Sequence, residues 1–159
     1  MGIALSKIIK FITMKSVFYT MAALLVFAIA GCGNEKKAQE AEQVQLRSEL
    51  MAAHDEVMPM MGELTSLAGQ LKQILQADST LAADVRAQME TAVAQMTEAE
   101  EGMMDWMANF KQPENLRAEM DHKAIMAYLS QEKEKISEVG VQIKSGIETG
   151  KTLVAAAGK

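Results

Sequence analysis

Residues 85–110, VRAQMETAVAQMTEAEEGMMDWMANF, decide the fold. Val85, Met89, Ala92, Met96, Ala99, Met103, Trp106 and Phe110 recur at steps of 4, 3, 4, 3, 4, 3 and 4. Apolar residues at that spacing share one face of an α-helix, and polar residues fill the remainder. One such helix cannot bury its stripe alone. It needs partners with stripes of their own.

Both flanks supply them. Upstream, Leu50, His54, Val57, Met61, Leu64, Ala68, Leu71 and Leu75 follow the same steps. The pattern predicts a helix over 39–76, about 57 Å long at 1.5 Å per residue. Pro59 interrupts it. Proline cannot donate to the carbonyl of Asp55 and crowds that turn, so a kink is expected there. Asp78-Ser79-Thr80 is a stop-and-restart signal, since each of these residues can cap a helix N-terminus. Downstream, Gln112-Pro113 ends the second helix. Lys111 to Met120 reads as a loop, or as a short turn opened by Pro113. Asp121 has the chemistry of an N-cap for a third helix. Its seam is Ile125, Leu129, Glu132, Ile136, Val139, Ile143, Ile147, Gly150 and Val154. The expected fold is all-α: an antiparallel bundle of three long helices, the first kinked at Pro59. No alternating strand pattern or hairpin dipeptide competes with this reading.

The N-terminal stretch sets the address. Residues 17–32 read VFYTMAALLVFAIAGC, preceded by Lys7, Lys10 and Lys15. A basic start, a short apolar run and small residues describe a secretory signal. The core of that run, Met21 to Ala30, is too short for the ~20 apolar residues that span a bilayer. Ile29-Ala30-Gly31-Cys32 resembles the lipobox of bacterial lipoproteins. The resemblance implies lipidation of the Cys32 sulfur, cleavage just before it and acylation of the new amino group. It further implies a membrane-anchored chain in the cell envelope, on the periplasmic side. Residues 1–31 are then the signal peptide, 32–39 a lipidated tether and 40–159 the helical domain.

Composition narrows the partners. The chain carries 16 basic and 21 acidic residues over 159 positions. Removing residues 1–31 takes away three lysines and no acid, which leaves 13 against 21 and a net charge of −8. So acidic a surface argues against nucleic acid and anionic lipid as partners. The membrane is reached through the anchor, and a protein partner or a second copy is the remaining class. Cys32 is the single cysteine, so no internal disulfide can form and packing must carry stability.

One layer of the expected bundle has chemistry to weigh. Pairing the helices about their turns gathers His54, Met58, Met103, Met104, Trp106, Met107 and Tyr128. Thioethers and imidazole suit Cu(I). His54, Met58, Met103 and Met107 are the candidate ligands, with Trp106 as a cation–π cover. Against this, methionine at heptad spacing commonly fills a core. A histidine on such a face needs only a hydrogen-bond partner, and Asp105 or the carbonyl freed by Pro59 could serve. There is no C-x-x-C-H for covalent haem. His122 reads as a surface residue. Gln131 to Lys135 and the acids Glu98, Glu100 and Glu101 read as solvated faces. No nucleophile–base pair or phosphate loop stands out, so no enzyme is expected and no cofactor, copper excepted.

HDEVMPMMGEL (54–64), MMDWM (103–107) and AYLSQEKEKI (127–136) together resemble small bacterial lipoproteins carried under the label viral A-type inclusion protein. The resemblance implies a helical lipoprotein and supplies no activity. The function expected is a non-catalytic structural or interaction role, with Cu(I) or another soft metal as the alternative.

Overall fold

The computed structural model describes residues 34–157. They fall into two compact units divided between Glu42 and Gln43. In the first, residues 34–42 are helical, where a polar tether is expected up to Gln39. Glu35, Lys36, Lys37, Ala38 and Gln39 are all good helix formers. Gln39 Nε2 also donates to Glu35 Oε1 one turn away, at 3.5 Å. The signal stretch and Cys32 lie outside the described residues.

Among its described residues the second unit consists of helices and the turns that join them, with no strand. α1 covers 43–57 and leads into a 3-10 turn at Met58–Met60. α2 is Met61–Ala77, α3 Ala83–Asn109, α4 Pro113–Leu116 and α5 His122–Ala157. The 3-10 turn sits on Pro59, where the missing N–H breaks the α-ladder. α4 opens on Pro113, a residue whose absent donor costs nothing in a first turn. Asp121 caps α5: its Oδ1 accepts from the Ala124 N–H at 2.8 Å.

The three seams come together as one core. Leu50, Val57, Leu64, Leu71, Met89, Met96, Met103, Ile125, Leu129, Ile136, Ile143 and Ile147 are buried in it. α2, α3 and α5 each pack on the other two. Three ion pairs tie α1 and α2 to α5: Glu49–Lys133 at 2.6 Å, Glu56–Lys144 at 2.6 Å and Glu63–Lys151 at 2.8 Å. Both members advance along the chain together, so α5 runs in the same direction as the first two helices. Gly146 and Gly150 allow this close approach. A Cβ on Gly146 would meet Leu64 Cδ1 at 3.0 Å, and one on Gly150 would meet Leu67 Cβ at 3.1 Å.

The α2–α3 corner departs from its expected chemistry. α3 begins after Ala82, which supplies no side-chain cap. Asp78 is occupied instead by Thr80, whose N–H and hydroxyl both donate to its Oδ1 at 2.8 and 2.7 Å. These bonds, the hydroxyl's foremost, hold the Asp78 carboxyl below the usual carboxylate range. Arg86 reaches back from α3 to donate to the carbonyls of Leu75 and Asp78, at 3.1 and 2.8 Å. The end of α2 is thus closed by a cation one helix later.

Candidate functional site

The expected layer forms around rings. α1 carries His54 one turn before the Met58–Met60 turn, and α3 brings Trp106 against it. The two ring centroids are 5.5 Å apart and tilted by 31°. Trp106 stacks in turn on Phe110 at 5.1 Å, and Phe110 on Tyr128 of α5 at 6.3 Å. The Tyr128 hydroxyl accepts from the Lys111 N–H at 2.7 Å. Burial raises the Tyr128 pKa above its ordinary value. A row of four rings therefore crosses from α1 through α3 to α5.

The individual residues are placed as follows. The His54 side chain is 14% exposed, and its Nδ1 lies 2.8 Å from Asp55 Oδ1. Its partner is therefore the next residue in the chain, not Asp105 or the carbonyl freed by Pro59. Met103 is fully buried, and Met58 and Met107 pack half-buried against the same core. Met104, expected in the layer, is 56% exposed. It stands about 100° around the helix from Met103, which turns it to solvent. Trp106 has its rings matched by His54 and Phe110, yet its buried Nε1 has no hydrogen-bond partner. Among the described residues, no group of three His, Cys, Asp or Glu side chains could hold a metal ion.

Two polar clusters escaped the sequence reading. Glu132 lies in a run expected to be solvated, but its side chain is only 8% exposed. Its Oε1 accepts from Lys135 Nζ at 2.7 Å, a bond that raises the Lys135 pKa. The signal was present, since Glu132 occupies a seam position of α5. A cleft of about 330 Å³ opens here between α3 and α5, lined among others by Asp105, Trp106, Glu132, Lys135 and Glu138.

The second cluster joins α1 to the α4–α5 region. Gln43 is buried, receives the Arg117 Nε–H on its Oε1 at 2.8 Å, and sets its Nε2 3.3 Å from His122 Nδ1. Arg47 Nε donates to Gln112. His122 is therefore half-buried against α1, not a surface residue. Its place at the first turn of α5 points it at the neighbouring helix, which periodicity within α5 alone does not reveal. Glu119 and His122 stand three apart in sequence, the spacing of a di-iron ligand pair, but α5 begins only at His122.

Compared with protein-family models, curated proteins and solved structures, the chain matches none. Among the described residues, no helix is long and apolar enough to cross a membrane.

Proposed function

We propose that the protein is a lipid-anchored helical protein of the bacterial cell envelope. Its mature domain faces the periplasm and serves a structural or interaction role without catalysis. The carrying observation is the order of features ending at Cys32: basic residues, a short apolar run, then Ile29-Ala30-Gly31-Cys32. A diacylated and N-acylated cysteine would hold the chain stably at a bilayer, since one acyl chain alone anchors only marginally. The architecture proposed is an antiparallel bundle of three long helices, the first formed by α1 and α2 across the Pro59 turn. The ion-pair order between α1–α2 and α5 supports it. The resemblance to small helical lipoproteins fits the same reading. The test is fractionation of cells expressing the wild type and Cys32→Ala. The wild type should sediment with membranes and extract into detergent, and the variant should not. Equal solubility of the two would refute anchoring.

A second reading is Cu(I) binding by His54 with Met58, Met103 and Met107. What favours it is a nearly buried imidazole in a methionine-rich layer closed by Trp106. Thioethers prefer soft Cu(I) to Zn(II). Competition against a Cu(I) chelator decides. Met103→Leu nearly conserves volume and should cost less than ~1.5 kcal/mol of stability. Lost copper affinity with the fold retained would assign a site. A wild type that does not compete would assign the layer to packing alone.

A further inference from the structure

We propose that Met104 is a sulfoxidation site, at which the protein takes up one oxygen atom from a peroxide and keeps its fold. The chain has 14 methionines and one cysteine, so thioethers make up nearly all of its oxidisable sulfur. What separates them is burial. Met89, Met96 and Met103 fill seam positions of α3 and are buried in the core. Met104 follows Met103 directly on the same helix, yet it is 56% exposed. The backbone of a helix interior is covered by its own turns, so that exposure belongs to the side chain. Among the described residues, the large apolar side chains that stand exposed are Val44, Met104, Met120 and Val141. Two of these carry sulfur, and Met104 is the more open, with Met120 at 37%.

The step is a two-electron oxygen transfer. A lone pair on the Met104 sulfur attacks one oxygen of hydrogen peroxide, an S–O bond forms and the O–O bond breaks. Sulfur is oxidised and the peroxide reduced. The leaving hydroxide takes the proton from the transferred oxygen and departs as water. The product is methionine sulfoxide, polar where the thioether was apolar. At Met103 that new polar group would be buried without a partner, which is costly. At Met104 water solvates it, so the helix stays packed. The same exposure leaves the sulfoxide within reach of an enzyme that reduces methionine sulfoxide and restores the thioether. Met103 meets peroxide when α3 opens locally, so its rate is scaled down by the small population of the open form.

The chain supplies its own internal control. Cleavage after Arg86 and Lys111 releases residues 87–111, which carry Met89, Met96, Met103, Met104 and Met107 in one peptide. The full-length, detergent-solubilised protein is treated with dilute hydrogen peroxide, digested with trypsin and read by fragmentation mass spectrometry. Met104 should oxidise at least about tenfold faster than Met89, Met96 and Met103, with the half-buried Met107 between them. Helical circular dichroism should hold while Met104 is converted. In urea, where the fold is lost, the five should react at rates within about twofold of one another. Met104→Leu nearly conserves volume, so it should keep the fold and remove the fast phase from this peptide. The proposal is overturned if Met103 and Met104 oxidise alike in the folded protein, or if the preference for Met104 persists in urea. It is equally overturned if peroxide costs the wild type its helix as Met104 is converted and leaves Met104→Leu intact.

Discussion

Gly150→Ala should weaken the fold, although alanine is the better helix former. Alanine in a helix interior gains up to about 1 kcal/mol over glycine. At position 150 that gain meets a packed wall. The new Cβ would overlap the Met96 Cε methyl and lie 3.1 Å from Leu67 Cβ. Met96 is almost wholly buried, so its methyl has little room to swing, and Leu67 Cβ can move only with its backbone. Overpacking of this kind costs about 1–3 kcal/mol. The net expectation is a loss of about 1 kcal/mol. Gly69→Ala is the matched control. Gly69 lies inside α2, its φ is negative, and nothing stands within 4 Å of a Cβ built on it. It should gain about 0.5–1 kcal/mol. Urea denaturation followed by far-ultraviolet circular dichroism measures both. With a slope of ~1–3 kcal/mol/M, the two midpoints should differ by about 1 M. A Gly150→Ala protein as stable as the Gly69→Ala protein would refute the close approach of α2, α3 and α5.

Two further outcomes follow from the ion pairs and the α2 end. The Glu49 and Glu56 carboxyls are held below the usual carboxylate range, foremost by hydrogen bonds from Lys133 and Lys144. A carboxyl with a lowered folded pKa stabilises the fold above its unfolded value and loses that contribution as pH falls through the folded one. The urea midpoint should therefore hold near neutral pH and decline on acidification through and below the carboxylate range. Glu49→Gln/Glu56→Gln should start lower and decline less steeply, and an unchanged slope would remove these pairs from the account. Arg86→Ala leaves the Leu75 and Asp78 carbonyls without their donor and should cost about 1–2 kcal/mol; a loss below ~0.3 kcal/mol would show that water replaces the guanidinium there.

Much of the fold is legible along the chain because helical periodicity is a local property. The 4,3 spacing of Val85 to Phe110 marks a buried stripe whatever lies opposite, and the residues on it are buried or half-buried. Pro59 and Pro113 act through their own backbone and Asp121 through a side chain that bonds only three residues on, so their turn, helix start and cap could be read in place. What lies across a helix pair could not. The partner of His54, the burial of Glu132 and the docking of His122 on Gln43 depend on how far each helix is rotated and where its neighbour stands. The Arg86 reach to α2 and the contacts of Gly150 with Met96 and Leu67 depend on the same rigid-body geometry. A heptad pattern constrains which face turns inward but leaves the register between faces open. That register is chosen by the summed packing of all three seams, which no single stretch of sequence contains.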